Sequence, residues 1–388
     1  MDNNNNKVLF FTNTPPEYRI PLYQILTSLY PITFIFTELD LAKKIYKCDL
    51  DNDKMKKIRY HELQKKGGIF KDIRNIILED GVKCVVIPPL DSLRESIYAY
   101  WIFSWAKWTG KKTIYFWGKW ESSSKMQPIT KWLKNMLQRV VARPIIKKSD
   151  YTLGYGVKAC EYLVKNGAKK DKCEKVFYSS MSPKCEQTNW KKKYNIPEEK
   201  KCVLYFGRVI EKKGLRYLIE AFNELDEKVK SQLWLVIVGD GPDKKQLEDY
   251  SKELGLKNIT WVGYIHPNIR YNYFSQCEIF VLPTYYYKGS VEAWGMTMNE
   301  AMQCGEILIA TEAVGSAYEL INKKNGYIVK AGDSHSLSRA LEDALTKKNR
   351  DDVKQENDRL LGIYNYQNSA NKFMTIFEKC IGGGEKHE

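Results

Sequence analysis

Two carboxylates stand eight positions apart in the segment Glu292-Ala-Trp-Gly-Met-Thr-Met-Asn-Glu300, with Gly295 between them. The segment reads as a loop that leads into a helix near Met298. Such a loop can present one carboxylate to a sugar and the other, from the helix, to vicinal ribose hydroxyls, and accepting from such hydroxyls orients a polar ligand. Backbone N–H groups from Gly295 through Met296 to Thr297 would face phosphates. The alternative is a helix with an acidic first turn, where Glu is favourable in any case.

Two cations stand five positions apart in Phe206-Gly-Arg208 and Glu211-Lys-Lys213-Gly214. A strand ends at Phe206 and a helix follows Gly214, so Arg208 and Lys213 could hold a pyrophosphate at a helix N-terminus. The alternative is two solvated loop cations.

A third segment, Val238-Gly239-Asp-Gly-Pro242, begins like a dinucleotide fingerprint, but Lys244 replaces its third glycine. We therefore interpret it as a tight strand-to-helix turn.

The elements that carry these residues alternate short apolar runs with helical periodicity, which is typical of βαβ units in a parallel sheet. Strands are predicted at residues 8–12, 32–36, 84–87, 113–117, 151–154, 202–206, 233–238, 259–262, 279–282, 307–310 and 326–329. Helices are predicted at residues 18–28, 70–79, 92–107, 129–147, 215–225, 244–253 and 298–304. The candidate residues follow strand ends, where open α/β sheets bind ligands.

The domain organisation follows from the same pattern. We expect an N-terminal Rossmann-like domain over residues 1–180, a polar hinge over 181–200 and a C-terminal Rossmann-like domain over 201–365. A last helix at about 366–380 is expected to pack back on the first domain. Residues 1–180 hold 32 Lys and Arg against 18 Asp and Glu, whereas residues 181–388 hold 30 against 29. The first half alone is therefore basic, which indicates an anionic partner or a solvated Lys-rich surface.

Aromatic side chains concentrate between Ser92 and Trp120, and residues 125–148 are predicted to form a cationic amphipathic helix. Together they fit attachment to a membrane surface, a platform for sugars, or a core with a solvated outer face. The aromatics are Tyr98, Tyr100, Trp101, Phe103, Trp105, Trp108, Tyr115, Phe116, Trp117 and Trp120, and the cations are Lys131, Lys134, Arg139, Arg143, Lys147 and Lys148.

Other classes of function are disfavoured. The nine cysteines are widely spaced with no C-x-x-C pair, so neither a disulfide framework nor a zinc site is expected. No apolar run approaches the ~18 residues of a membrane span, and no secretory signal is recognised, so a cytoplasmic location is expected. The Asp49-Leu-Asp51-Asn-Asp53 segment lies in a Lys-rich polar stretch, and we expect no metal there.

Taken together, these motifs resemble family 4 of the retaining glycosyltransferases, which have the GT-B fold. The likeness covers residues 200–335 in order: Gly207-Arg208, Lys213-Gly214, the Val238–Pro242 turn, Trp261-Val-Gly263 and Glu292 to Glu300. It is weaker over residues 1–180, where Asn13-Thr-Pro-Pro-Glu-Tyr-Arg19 resembles the first strand and loop of one branch. The resemblance implies an α/β protein with two Rossmann-like domains facing each other across a cleft.

The resemblance also implies roles for single residues. Arg208 and Lys213 would bind the donor diphosphate, Glu300 the ribose and Glu292 the donor sugar. The nucleobase would lie near Tyr264 and Ile265. The remaining implied donor contacts are Gly239, Gly295, Met296 and Thr297, and the implied acceptor or phosphate loop contains Asn13, Tyr18 and Arg19. Lys119 stands where many relatives carry a histidine that contacts the donor sugar, so this chain departs from the family there. The resemblance implies Glu292, Arg208, Lys213 and Lys119 as the catalytic residues.

The expected activity is transfer of a sugar, with retention, from a nucleotide-diphosphate donor, with UDP favoured. The acceptor would be a saccharide or lipid-linked saccharide in surface polysaccharide or glycolipid synthesis. No metal or other cofactor is expected, and the partners would be the two substrates and an anionic membrane surface at the inner face of the plasma membrane. The alternative is a non-catalytic protein that binds nucleic acid or sugar. Glu292 and Glu300 argue against nucleic acid because they would repel its phosphates.

Overall fold

Apolar strands and amphipathic helices alternate along the chain and build two parallel sheets. The computed structural model describes residues 6–39, 53–63, 68–90, 92–118, 120, 138–181, 189–288 and 290–382. The chain divides into two compact units. The first comprises Met1–Lys119, Gln127–Ser179 and Tyr364–Glu388, and the second comprises Trp120–Met126 and Ser180–Ile363. The expected α/β fold with two Rossmann-like sheets, as in GT-B proteins, is confirmed.

The first unit contains a seven-stranded sheet in the order β3-β2-β1-β4-β5-β6-β7, with every pair parallel. Its strands are β1 (Lys7–Thr12), β2 (Ile32–Phe36), β3 (Tyr60–Glu62), β4 (Val82–Ile87), β5 (Lys112–Trp117), β6 (Tyr151–Tyr155) and β7 (Cys173–Val176). Its helices are Ile20–Leu29, Asp53–Lys56, Ile69–Leu78, Leu93–Trp108, Arg143–Lys148, Gly156–Lys165 and, at the end of the chain, Tyr366–Gly382.

The C-terminal helix Tyr366–Gly382 belongs to the first unit. Phe373 lies 5.9 Å from Phe10 and 6.1 Å from Phe116, measured between ring centroids. The Ser369 hydroxyl donates to the carbonyl of Phe177 at 3.0 Å. These buried contacts tie the end of the chain to β1 and β5.

The second unit contains a six-stranded parallel sheet in the order β10-β9-β8-β11-β12-β13. Its strands are β8 (Lys201–Phe206), β9 (Leu233–Val238), β10 (Ile259–Gly263), β11 (Ile279–Leu282), β12 (Ile307–Thr311) and β13 (Gly326–Val329). Its helices are Trp190–Lys193, Leu215–Glu224, Glu227–Lys230, Lys244–Glu253, Arg270–Phe274, Thr297–Gln303, Ala317–Leu320, Ser334–Lys347 and Arg350–Ile363. Strands β9, β11 and β12 are almost fully buried, as strands covered by helices on both faces must be.

The segment predicted as a hinge contains the short helix Trp190–Lys193. Trp190 is buried, donates to the carbonyl of Asn272 at 2.8 Å and stacks on Tyr273. The part of the segment from Trp190 onward therefore packs into the second unit. Of the predicted helix at 125–148, residues 121–137 lie outside the described part, and Gln138–Ala142 is a π-helical turn before Arg143–Lys148.

Candidate active site

A cavity of about 330 Å³ opens at the carboxyl ends of β8, β9 and β10 in the second unit. Three connecting segments and two short helices form its wall, because the chain leaves each parallel strand on this edge of the sheet. It is lined by Phe206, Gly207, Arg208, Val238, Gly239, Asp240, Tyr264, Ile265, Pro267, Arg270 and Glu300. Five of the predicted donor contacts therefore line one cavity.

Two backbone segments that lie close to each other, around Gly207 and Gly239, form the floor of this cavity. The Gly207 N–H donates to the carbonyl of Val238 at 3.0 Å. Gly239 has a φ of 141°, and a Cβ there would lie 1.8 Å from the carbonyl oxygen of Gly207. Only glycine fits at Gly239, which explains the spacing of the Val238–Pro242 turn. Arg208 follows on the exposed side, and its carbonyl accepts a 2.7 Å hydrogen bond from the buried Tyr205 hydroxyl.

Lys213 and Glu292, 79 positions apart, form an ion pair in which Nζ lies 2.6 Å from Oε2. Their side chains are 15% and 19% exposed, so solvent screens the pair only in part. Two backbone hydrogen bonds fix Glu292: its N–H donates to the carbonyl of Ala313, and the Gly315 N–H donates to its carbonyl, each at 2.9 Å. The carboxylate is thus held on a rigid connection.

The charges around Glu292 favour its ionised form. Burial alone would raise the pKa of its carboxyl, but Lys213, Lys212 and Arg208 outweigh that effect, and the pKa lies below its usual value. Glu292 is therefore a carboxylate at neutral pH and accepts hydrogen bonds or stabilises positive charge.

The loop between the two carboxylates is braced from within. Gly295 has a φ of 86°, and a Cβ there would lie 2.6 Å from Cδ2 of Leu282. The buried Trp294 ring donates from Nε1 to Oδ1 of Asn299 at 2.7 Å. After this turn Met296 occupies the N-cap position of the helix Thr297–Gln303, which carries Glu300.

Glu300 forms an ion pair with Arg270 that no sequence motif predicts. Oε1 of Glu300 lies 2.7 Å from Nε of Arg270, and the side chains are 11% and 17% exposed. Arg270 also donates from Nη1 to the carbonyl of Pro267 at 3.1 Å. Arg270 thus joins the loop after β10 to the carboxylate predicted to bind ribose. No motif spacing relates positions 270 and 300, because only the fold brings them together.

Tyr264 and Ile265, the predicted nucleobase neighbours, follow β10 and line the outer wall of the cavity. Tyr264 is 68% exposed. Its open ring and the side chain of Ile265 offer an apolar surface on which a planar base can stack.

The predicted loop of the first unit lies at the carboxyl end of β1. The side-chain oxygen of Asn13 accepts a hydrogen bond from the N–H of Thr14 at 2.8 Å. Tyr18 and Arg19 belong to a short 3₁₀ turn. The guanidinium of Arg19 lies among tyrosine rings, of which Tyr155 and Tyr178 had no signal in the sequence. Lys119 lies outside the described residues.

The aromatic segment divides into a buried and an exposed set. Phe103, Tyr115, Phe116 and Trp117 belong to the core. Ile97, Tyr100, Trp101 and Trp108 lie exposed along the helix Leu93–Trp108, with Trp108 75% exposed. Part of the segment is therefore core and part is open surface.

Among the described residues, no group of three His, Cys, Asp or Glu side chains could hold a metal ion. The Asp49–Asp51 positions lie outside that part of the chain. The seven cysteines within it are free thiols. No described helix combines the length and apolar character that crossing a membrane requires.

The segment that carries this cavity is similar to known proteins. Residues 186–360 match the family model described as "Glycosyl transferases group 1". A protein of Methanocaldococcus jannaschii named as an uncharacterized glycosyltransferase is 23% identical over 288 residues, which is 72% of this chain and 71% of that protein.

A lipopolysaccharide 1,2-N-acetylglucosaminetransferase of Salmonella typhimurium is 27% identical over 198 residues. That match covers 48% of this chain and 50% of the relative. The chain is a glycosyltransferase.

The fold of this glycosyltransferase also resembles a solved structure. A crystal structure of Anabaena Alr3699/HepE in complex with UDP gives a TM-score of 0.74 at 14% identity, covering 96% of this chain and all of that one. The matched family segment, residues 186–360, contains the cavity and both ion pairs.

Proposed function

We propose that this glycosyltransferase belongs to family 4 and transfers a sugar, with retention of configuration, from a UDP-sugar to a saccharide or lipid-linked saccharide. The observation that carries the proposal is the convergence in one cavity of a cation, a carboxylate and an exposed ring, from Arg208, Glu300 and Tyr264. These three groups complement a diphosphate, a ribose and a base. A volume of about 330 Å³ lies within the usual range for small-ligand sites.

In this mechanism the protein stabilises the departing nucleotide diphosphate. Arg208 and Lys213 supply positive charge where negative charge develops, and electrostatic help of this kind is a major part of catalysis. Glu292 accepts hydrogen bonds from hydroxyls of the donor sugar. The leaving phosphate takes the acceptor proton, so neither a dedicated base nor a metal ion is required.

The Lys213–Glu292 ion pair supports this assignment. With no donor bound, each charge is compensated by the other at 2.6 Å. A donor that brings a diphosphate to Lys213 and hydroxyls to Glu292 offers both groups replacement partners. The site is thus held in order before the donor enters, which lowers the cost of ordering it on binding.

The choice of UDP and of the acceptor draws on the relatives. The Anabaena structure is a complex with UDP, and the Salmonella relative is named for lipopolysaccharide synthesis. We infer a similar donor and a lipid-linked or surface saccharide acceptor here.

Titration calorimetry with UDP, GDP and ADP tests the donor assignment. We expect UDP to bind most tightly and Glu300→Ala to weaken it, while Glu227→Gln, a change at an exposed helix residue, leaves it unchanged. Equal, weak binding of all three nucleotides would refute the assignment. Turnover that persists in EDTA would support metal independence, and the anomeric configuration of the product, read by NMR, tests retention.

We also propose that the first unit attaches to anionic membranes through the exposed face of the helix Leu93–Trp108. Trp101 and Trp108 are suited to the interface between headgroups and acyl chains. Arg74, whose guanidinium lies 5.1 Å from the Trp105 ring centroid, supplies charge beside them. Binding to vesicles that contain phosphatidylserine, measured by sedimentation, should fall steeply as the salt concentration rises. The double substitution Trp101→Ser/Trp108→Ser should weaken it as well. Absence of wild-type binding at low salt would show that this face is only solvated.

A further inference from the structure

The guanidinium of Arg19 is enclosed by aromatic rings in the first unit. Its Cζ lies 5.0 Å from the ring centroid of Tyr178, 5.7 Å from that of Tyr155 and 5.8 Å from that of Tyr18. Nη2 donates a hydrogen bond to the Tyr178 hydroxyl. The rings of Tyr155 and Tyr178 are stacked with centroids 3.6 Å apart. We call these four residues the Arg19 cage.

The charge in the Arg19 cage has no counterion within the described part of the chain. No carboxylate there forms an ion pair with Arg19, and its buried Nε has no hydrogen-bond acceptor. A buried charge without a partner is costly, and an unmade hydrogen bond at a buried N–H adds to that cost. Contact with ring faces compensates a guanidinium only in part. The arrangement is therefore incomplete as a purely structural element.

The tyrosines around Arg19 are hydrogen-bond donors at neutral pH. Burial raises the pKa of both Tyr155 and Tyr178, and the effect of the nearby Arg19 charge does not cancel it. Neither phenol therefore serves as a counterion. The cage combines one cation with neutral O–H groups, which is the chemistry that complements an oxyanion.

The position of the cage in the fold is that of a ligand site. Arg19 follows β1, Tyr155 ends β6 and Tyr178 follows β7, so all three lie at the carboxyl edge of the first sheet. Parallel α/β sheets bind their ligands at this edge. The donor cavity lies at the corresponding edge of the second sheet, and the cage is no part of its lining.

We propose that the Arg19 cage binds an oxyanion carried by the acceptor, either a phosphate or a carboxylate. The inference rests on the proposed function, because it takes the donor to occupy the second unit. It extends that function by assigning the acceptor to the class of anionic saccharides or phosphate-linked saccharides. Nη1 of Arg19 and the hydroxyl of Tyr155 are the groups that contact the oxyanion.

Calorimetry on the full-length protein saturated with UDP tests this proposal, with inorganic pyrophosphate and glucuronate as separate probes at 150 mM salt. UDP occupies the donor cavity, so remaining anion binding reports a second site. We expect one of the probes to bind, and Arg19→Gln to weaken it at least tenfold. Tyr178→Phe, which keeps the ring, should weaken it at least threefold, and Arg19→Lys should retain part of the affinity.

Lys172→Gln is the matched control, because Lys172 is a cation over a tyrosine ring in the same unit, with Nζ 5.8 Å from the ring centroid of Tyr151. It should change anion affinity less than twofold. UDP affinity should be unchanged in all four variants, which also verifies that they are folded. If Arg19→Gln does not fold, the Tyr178→Phe result decides.

Three results overturn the proposal: neither probe binds, Arg19→Gln binds as the wild type does, or UDP abolishes anion binding in the wild type. The last result would assign the anion site to the donor. If no nucleotide binds at all, the proposed function fails, and titration without nucleotide still tests the Arg19 cage.

Discussion

The Arg270–Glu300 ion pair leads to a prediction about how the nucleotide is held. If Glu300 accepts hydrogen bonds from the ribose hydroxyls, Arg270 contributes to binding only by keeping that carboxylate in position. Arg270→Gln should then weaken the binding of UDP but not that of 2′,3′-dideoxy-UDP, because the analogue has no ribose hydroxyls that could donate hydrogen bonds to Glu300. Arg270 would thus be a positioning residue.

The size of the effect follows from the geometry. Nε and Oε1 are 2.7 Å apart, and both side chains are less than one-fifth exposed. Hydrogen bonds to a charged group contribute about 1.5–3 kcal/mol, which corresponds to roughly 10- to 150-fold in affinity. Glu300→Ala should weaken UDP by an amount in this range. Arg270→Gln should weaken it by less, since its effect is transmitted by Glu300.

Calorimetry with four proteins and two ligands gives the complete cycle. The wild type, Arg270→Gln, Glu300→Ala and the double variant are each titrated with UDP and with dideoxy-UDP. We expect the double variant to bind UDP no more weakly than Glu300→Ala alone. The matched control is Arg216→Gln, which removes an Arg–Glu pair with an Nε–Oε1 distance of 2.9 Å from an exposed helix of the same unit.

Three outcomes would refute the reasoning, and each leads to a different conclusion. If Arg270→Gln weakens both ligands equally, Arg270 contacts the base or the diphosphate directly. If Arg270→Gln raises the affinity for UDP, Arg270 competes with the ribose hydroxyls for Glu300. A wild type that does not distinguish the two ligands would remove the ribose assignment itself.

Three further predictions concern other parts of the chain. Lys213→Ala should lower turnover at least tenfold while the melting temperature falls only slightly; near-normal rates would disprove its role at the diphosphate. Gly239→Ala should destabilise the fold by about 1–3 kcal/mol in a melting assay, because the φ of Gly239 and its contact with the backbone forbid a side chain. Gly362→Ala, with open space around it, serves as the neutral control in the same assay. Glu306 is fully buried, and within the described residues both carboxylate oxygens lack a hydrogen-bond partner; burial raises its pKa well above the usual value. The folded state therefore loses stability as pH rises above about 4, the unfolded pKa. Glu306→Gln should raise the melting temperature at pH 7–8, with the gain vanishing near pH 4; an equal gain at both pH values would contradict this.

The sequence predicted the second sheet better than the first. Its strands are apolar runs of four to six residues, four of them (β8, β9, β10 and β13) adjoin or contain a glycine, and the turns after β8, β9 and β10 carry recognisable motifs. In the first sheet, β3 (Tyr60–Glu62) and β7 (Cys173–Val176) were not predicted. Both are short edge strands in which polar residues predominate, so they lack the apolar run that marks a central strand.

The candidate site was predictable where its residues follow strand ends. Arg208, Gly239 and Tyr264 each come directly after a parallel strand, and such positions must meet at one edge of the sheet. Arg270 was not predictable because it lies within a short helix, 30 positions from Glu300. Its importance depends on a distance that no local spacing encodes. The same holds for Tyr155 and Tyr178 around Arg19.

Buried cations have carboxylate partners in the second unit but not among the described residues of the first, and this difference affects how the enzyme binds its substrates. In the second unit Lys213 and Arg270 each face a carboxylate at less than 3 Å. A donor must therefore exchange partners with these pairs, so the electrostatic part of its binding is a difference between two compensated states. In the first unit no carboxylate among the described residues pairs with Arg19, so an anion that reaches it exchanges with none of them. Anion binding at the Arg19 cage should thus depend on the ligand's charge more strongly than donor binding does, even though the donor carries a diphosphate.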